Sequence, residues 1–242
     1  MAWLLFPAGP NRSRRELRPS QSIQASIRAI ESNKRLACPR YRLPGRTPGF
    51  LEAFEAVEKG VRLKPEDRII YASRGWMHTL AGDHEEGIRL GKDALSLHPG
   101  FPPGHVMLGW AYEAAGMDDL AMTQYELTLK AEYSPPALAS LAHLYGKMGQ
   151  RDQALARLAE LDALHERGLI QYVPAYCRAL AFAGLRDLDQ CLHELECAYD
   201  QRCDWLMHLV LDKRWDPVRQ TPQFKDLVSR VGIPYFGNSS AI

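Results

Sequence analysis

Long apolar runs and paired cysteines are both missing from this chain of 242 residues. No run approaches the roughly 20 consecutive apolar residues that a membrane-spanning helix needs, so we expect no membrane-spanning segment. Cysteine occurs five times, an odd number, and without a C-x-x-C pair, which disfavours a disulfide framework and a zinc site. We therefore expect free thiols in a reducing compartment. The cysteines are Cys38, Cys177, Cys191, Cys197 and Cys203.

Sequence motifs of catalysis and cofactor binding are missing as well. The chain has no H-E-x-x-H, no G-x-S-x-G, no G-x-G-x-x-G and no EF-hand loop. The stretch G-I-R-L-G-K-D around Lys92 is similar to a phosphate-binding loop, but it is one residue short and no Ser or Thr follows the lysine. We predict that the chain is not an enzyme and holds neither a metal ion nor a cofactor.

Acidic residues are scarce at the start of the chain. Residues 1–46 contain ten Lys and Arg but only Glu16 and Glu31, a net charge of +8, so the remaining residues carry −7. An acidic body disfavours nucleic-acid binding along its length and leaves only weak binding through residues 11–46. The basic leader has three interpretations, an organellar transit peptide, a nucleic-acid-binding arm and a disordered leader, of which we prefer the third.

A period of about 34 residues dominates the middle of the chain. Gly82, Gly116 and Gly149 are spaced 34 and 33 residues apart, and a small residue stands seven positions before and five positions after each of them. This phase is typical of stacked two-helix hairpins, in which glycine makes the turn and small residues let the helices cross closely. In the clearest unit we expect Ala121 to meet Gly109. The small residues are Gly75, Gly109 and Ala142 before the turns, and Gly87, Ala121 and Ala154 after them.

These units, together with a fourth that reads A-Y-C-R-A-L-A-F-A-G-L-R-D-L-D-Q-C-L, resemble the tetratricopeptide repeat over residues 68–203. The resemblance implies an all-α, right-handed α-solenoid of antiparallel helix pairs. Four positions depart from the pattern: Arg74 and Arg178 replace an apolar residue, Gly91 replaces an aromatic and Arg186 replaces the turn glycine. We predict a leader at 1–47, a half repeat at 49–67, repeats at about 68–101, 102–134, 135–171 and 172–203, and a tail at 204–242 with a capping helix at 222–231.

The resemblance also implies a groove lined by the first helix of each repeat. The inward row is then Trp76, Trp110, His143 and Leu180, and the flanking rows add Val106, Tyr176 and Lys147. Family members that clamp a terminal carboxylate use Lys and Asn on these rows, and Lys147 is the one such residue in this sequence. We therefore predict no carboxylate clamp, but an exposed aromatic stripe that binds an apolar or aromatic peptide or helix.

Two questions stay open, what fills the groove and what the chain does. The groove is filled by a protein partner, by a second copy, or by the chain itself, whose tail carries Trp205, Trp215 and Phe224 and whose leader carries Trp3 and Phe6. The chain is either a non-catalytic protein–protein interaction scaffold or the sensor segment of a bacterial regulator whose effector module is absent. The second alternative comes from residues 204–234, which resemble the tails of bacterial repeat regions that follow a kinase, cyclase or winged-helix module, and which imply a cytoplasmic signalling context.

Overall fold

The computed structural model describes residues 48–170 and 173–232. This part of the chain is all-α, with ten α-helices, two short 3-10 helices and no strand, as the repeat pattern predicts. The predicted leader, with Trp3 and Phe6, lies outside the described residues. The helices are α1 (Pro48–Leu63), α2 (Arg68–Leu80), α3 (His84–Leu97), α4 (Pro102–Ala114), α5 (Asp118–Ala131), α6 (Pro135–Lys147), α7 (Arg151–Glu166), α8 (Ala175–Leu185), α9 (Leu188–Asp200) and α10 (Pro222–Val231).

Local sequence explains where several of these helices begin. Asp67 precedes α2 and its carboxylate accepts hydrogen bonds from the backbone N–H groups of Ile69 and Ile70. Asp83 and Asp187 cap α3 and α9 in the same way. A side-chain acceptor at this position satisfies donors that the first turn of a helix leaves free. Proline at the first position starts α4 and α6, where its fixed φ suits a helix and its missing N–H costs nothing.

The helices pair as hairpins and the hairpins stack. The pairs are α2 with α3, α4 with α5, α6 with α7, and α8 with α9, and each hairpin also packs on the next one along the chain. The single helix α1 packs on α2 and stands where the second helix of a preceding repeat would stand. The described residues therefore form an α-solenoid of tetratricopeptide type, which confirms the predicted fold class.

The turns within the hairpins show why three of them carry glycine. Gly82, Gly116 and Gly149 have φ angles of 85°, 75° and 76°, in the left-handed region where a Cβ atom is unfavourable. The fourth turn has the same backbone, but Arg186 occupies it with φ of 56°. The fourth repeat thus keeps the turn geometry of the others at the cost of a non-glycine residue in a strained conformation.

Close helix crossings occur where the small residues stand. A Cβ added to Gly75 would lie 2.8 Å from the backbone oxygen of Gly87, so these two small residues do meet. Our expectation that Ala121 meets Gly109 stays a prediction. The atoms nearest to a Cβ added at Gly109 belong to the ring of Tyr125. The reason is that Tyr125 turns its ring inward, where its hydroxyl finds a buried partner.

Two of the departures from the repeat pattern form ion pairs between helices. Arg74 of α2 donates to Glu58 of α1 at 2.6 Å. Arg178 of α8 donates to Glu194 of α9 at 2.8 Å and also pairs with Asp162 of α7. Each arginine therefore replaces an apolar contact by a charged bond to the neighbouring helices. Both guanidinium groups are partly exposed, so these pairs are worth little more than surface salt bridges.

After α9 the chain leaves the repeat pattern. Residues 204–218, named here the groove segment, contain the 3-10 helices Asp204–His208 and Lys213–Trp215 and run along the face formed by the first helices of the repeats. Helix α10 then begins behind Thr221, whose hydroxyl accepts from the N–H of Phe224 at 3.3 Å, and packs on α9 through buried Phe224, Leu227 and Val228.

Two further features concern the described residues only. None of their helices combines the length and the apolar character that a membrane crossing requires.

The four cysteines of the described residues are free thiols. Cys177 and Cys191 are buried, and burial raises the pKa of Cys191 to about 12. Thiols with so high a pKa are poor nucleophiles near neutral pH.

Candidate binding cleft beside the groove segment

The predicted inward row comes together in the structure. Trp76 of α2 and Trp110 of α4 pack with ring centroids 4.9 Å apart, and His143 of α6 follows on the next inner helix. The row is not the exposed stripe that the sequence led us to expect. Trp76 is only 8% exposed and Trp110 only 4%, and His143 and Leu180 are buried as well.

The groove segment covers this row. Trp205 stands edge-on to Trp110 at a centroid distance of 5.2 Å and contacts Tyr176 at 5.7 Å. Trp215 is fully buried against Tyr176, and its indole N–H donates to the tyrosine hydroxyl at 3.3 Å. The aromatic part of the groove is thus occupied by the tail of the chain itself, which was one of the alternatives that the sequence left open.

A buried arginine holds the groove segment over the tryptophans. The Arg214 guanidinium lies 5.8 Å above the ring of Trp76 and 5.2 Å above that of Trp110, within the range of a cation–π interaction. Its charge is paired at the same time, because Nε and Nη2 donate to the carboxylate of Asp212 at 2.9 and 2.6 Å. Burial alone would raise the pKa of Asp212, but the guanidinium holds it below its ordinary value.

A second buried polar group joins α4 to α6. The Glu113 carboxylate lies 2.6 Å from Nδ1 of His143 and accepts from the hydroxyl of Tyr125 at 2.8 Å. Burial opposes its charge, and the neighbouring His143 keeps the pKa of Glu113 below the ordinary value. Trp110 adds a bond across the same junction, from its indole N–H to the Ser140 hydroxyl at 3.0 Å. The inner helices of the second and third repeats are therefore linked by polar side chains.

An open cleft of about 380 Å³ remains where the groove segment no longer covers the inner helices. It lies between the C-terminal ends of the inner helices and residues 211–217, and each of the four repeats contributes to its wall. Apolar side chains such as Leu80 and Leu211 alternate with charged ones. The charged residues are four cations, Lys147, Arg186, Lys213 and Arg214, and two carboxylates, Glu113 and Asp212.

His84 is another titratable group in this wall with a shifted pKa. Burial lowers the pKa of His84, and the charge of Lys213 lowers it further, so the imidazole is neutral near pH 7. Its Nδ1 is buried without a hydrogen-bond partner in the described part of the chain. The imidazole therefore has one polar atom that no neighbouring group satisfies.

The structure divides the seven predicted site residues into two groups. Trp76, Trp110, His143 and Lys147 line the cleft, and Lys147 also pairs with Asp118 at 2.8 Å. Val106, Tyr176 and Leu180 are buried in the core and do not line it.

Most of the charged residues in the cleft wall do not follow from the repeat pattern. Glu113 gives a signal that could have been read, because it stands one turn after Trp110 in an otherwise apolar helix. The repeat pattern identifies Arg186 as a turn residue but does not place it in the cleft. Lys213 and Arg214 belong to a 3-10 segment without helical periodicity, so no pattern assigns them to the groove.

Comparisons with known proteins give similar solved structures but no matching family model or curated protein. No family model matches the chain, and no curated protein matches it. Among solved structures it is similar to a tetratricopeptide repeat protein from Parabacteroides merdae, with 14% identity, 87% of this chain and 77% of that chain covered, and a TM-score of 0.43. It is also similar to a chain in the structure of Naa15/Naa10 bound to HypK-THB, with 16% identity and a TM-score of 0.42. The match covers 86% of this chain but a third (33%) of that one, and no statement about function follows from either likeness.

Proposed function

We propose that this chain is a non-catalytic scaffold that binds a segment of a partner protein in the cleft beside the groove segment. The observation that carries this proposal is the cleft itself: it is built from all four repeats and from residues 211–217, and it is the part of the aromatic groove that the tail leaves open. An apolar or aromatic side chain of the partner would pack against Trp76, Trp110 and Leu211 at its floor.

The size of the cleft suits part of a peptide. A volume of about 380 Å³ is at the lower end of the range for ligand sites, about 300–1,000 Å³. It accommodates a few side chains and not a whole amphipathic helix laid along the groove. The proposal is therefore narrower than the sequence suggested, because the long apolar groove already has an occupant.

The hydrogen bonds of the cleft favour binding over catalysis. A nucleophile needs a base within hydrogen-bond reach. The hydroxyl of Thr79, in the cleft wall, donates to the backbone oxygen of Gly75. The hydroxyl of Ser140, which is fully buried and does not line the cleft, accepts from Trp110. His143 is paired with Glu113 and has no hydrogen bond to either hydroxyl. The polar side chains are thus used to hold the helices together.

Site-specific photo-crosslinking in the source organism tests the proposal. A benzoylphenylalanine placed at Ala114 or Pro217, both in the cleft wall, should crosslink one and the same protein. The matched control position is Leu120, which is exposed on α5 and does not line the cleft. Crosslinks from Leu120 alone, or none from the two cleft positions in a folded protein, would contradict the proposal. A kinase, cyclase or DNA-binding protein as the crosslinked partner would favour the regulatory alternative.

A further inference from the structure

The charges of the cleft are unbalanced once the internal pairs are removed. Glu113 is engaged by His143 and Tyr125, and Asp212 is engaged by Arg214. Lys147 is paired with Asp118. Within residues 48–170 and 173–232, neither the ammonium group of Lys213 nor the guanidinium group of Arg186 has a hydrogen bond or an ion pair. Both are exposed, and both line the same cleft, so the cleft presents cations without matching anions.

This positive cleft lies on the acidic part of the chain. Residues 47–242 carry a net charge of −7, so the sign of the cleft is opposite to that of the body around it. A local reversal of sign is a feature of the site and does not follow from the overall composition. Complementary charge steers a partner toward such a site and fixes its orientation there.

The origin of the two cations supports a role in binding. Three of the four hairpin turns carry glycine, and the fourth carries Arg186 in a left-handed conformation, which brings a guanidinium group to the cleft. Lys213 comes from the groove segment, at the start of its second 3-10 helix. Neither residue stands on the inner rows that the repeat pattern defines, so the repeat architecture itself does not require them.

We infer that the partner segment bound in this cleft is acidic, and that its carboxylates lie between Arg186 and Lys213. This inference rests on the proposed function and names the chemistry of the partner. Aspartate or glutamate side chains within a peptide satisfy both cations, and an apolar neighbour of theirs packs on the tryptophan edges. A terminal carboxylate is not required.

Fluorescence anisotropy with a defined probe tests the inference. The probe is a fluorescein-labelled hexaglutamate peptide with an amidated C-terminus, and hexaglutamine is its uncharged counterpart. We expect the full chain to bind hexaglutamate and not hexaglutamine, and to bind it less tightly as salt is raised. The double variant Arg186→Gln/Lys213→Gln should raise the Kd about tenfold, since two exposed ion pairs are lost and each is worth up to about fivefold in affinity.

The matched control is Lys130→Gln/Lys225→Gln, which removes two exposed cations outside the cleft and keeps the same net charge as the test variant. Equal binding of hexaglutamine, or an equal loss of affinity in the control, would overturn the inference. Tighter binding of a single-stranded oligothymidylate at the same two residues would overturn it in favour of nucleic acid. Thermal unfolding of both variants shows whether the fold is intact.

The two proposals fail in different ways. A protein crosslinked from Ala114 with no binding of hexaglutamate overturns the acidic partner and leaves the scaffold function standing. Binding of hexaglutamate without any crosslinked protein overturns the scaffold function. A crosslinked peptide that proves basic or uncharged on sequencing overturns the inference directly.

Discussion

Two buried carboxylates and a buried guanidinium group lie in one small region of this protein. Glu113 and Asp212 are both buried, and each owes its ionised state to specific partners, His143 and Arg214. A buried carboxylate that keeps its partners contributes little net stability, whereas one that loses a partner is costly because water cannot replace the bond. Substitution of a single side chain in this region should therefore lower the free energy of unfolding by more than the number of atoms removed suggests.

Tyr125→Phe tests this point with the loss of one oxygen atom. The substitution removes the hydroxyl that donates to Glu113 at 2.8 Å and leaves that carboxylate oxygen unsatisfied. We expect the free energy of unfolding to fall by about 1–2 kcal/mol. Urea denaturation measures it, with Tyr133→Phe as the control because Tyr133 is 57% exposed. Equal midpoints for the two variants would show that the bond contributes nothing.

Arg186 offers the opposite case, a residue whose replacement should stabilise. Its backbone is left-handed, with φ of 56°, where glycine avoids a penalty of about 1 kcal/mol. Arg186→Gly should therefore raise the melting temperature, and Gly149→Ala, at φ of 76°, should lower it by a similar amount. Differential scanning calorimetry compares the two. A lower melting temperature for Arg186→Gly would mean that its side chain stabilises the fold by more than the backbone strain costs.

Among the structural elements, the groove segment is the one that the sequence could not place. Helices α2 to α7 follow from the 34-residue period, because the turn glycines and small residues recur in a fixed phase, and α8 and α9 follow from the resemblance of the fourth unit to the repeat. The burial of Trp76 and Trp110 depends on Trp205 and Arg214, which lie far away in the sequence and within 3-10 helices. Such helices are too short to show periodicity. The repeat pattern therefore predicts the inward row with Trp76 and Trp110, but not the groove segment that covers it.

The groove segment should make stability depend on pH through His208. This imidazole packs edge-on to Trp76, and burial lowers its pKa to about 4 from an ordinary value of 6.5. Between pH 6.5 and 4 the unfolded chain binds a proton that the folded protein does not, so acidification favours unfolding. We expect a loss of about 1–2 kcal/mol between pH 7 and 5 from this group.

Urea denaturation at several pH values measures this dependence. His208→Gln should flatten the profile between pH 7 and 5, while His165→Gln, at an exposed histidine, should leave it unchanged. Some slope will remain in His208→Gln, because burial also lowers the pKa of His78 and His84. An identical profile in wild type and His208→Gln would show that the imidazole is not desolvated when the groove segment packs on the inner helices.

At the scale of the whole molecule, two core clusters are joined at the centre of the solenoid. One belongs mainly to α2 to α5 and the other to α6 to α9 with the tail. Trp205 packs against both clusters, and the bonds Glu113–His143 and Trp110–Ser140 cross between them. The groove segment thus acts as a brace along the solenoid, and the cleft is the space that this brace leaves uncovered.

The chain covers its own aromatic row, and NOE spectroscopy on the tryptophan-labelled protein detects this cover through distances between indole rings. The Trp76–Trp110 pair, at 4.9 Å between ring centroids, is the internal control for an intact row. The Trp110–Trp205 pair, at 5.2 Å, reports on the groove segment, with Trp205→Phe to assign its signal. The structure predicts NOEs within both pairs. An NOE for Trp76–Trp110 without one for Trp110–Trp205 would show that the groove segment does not cover the row.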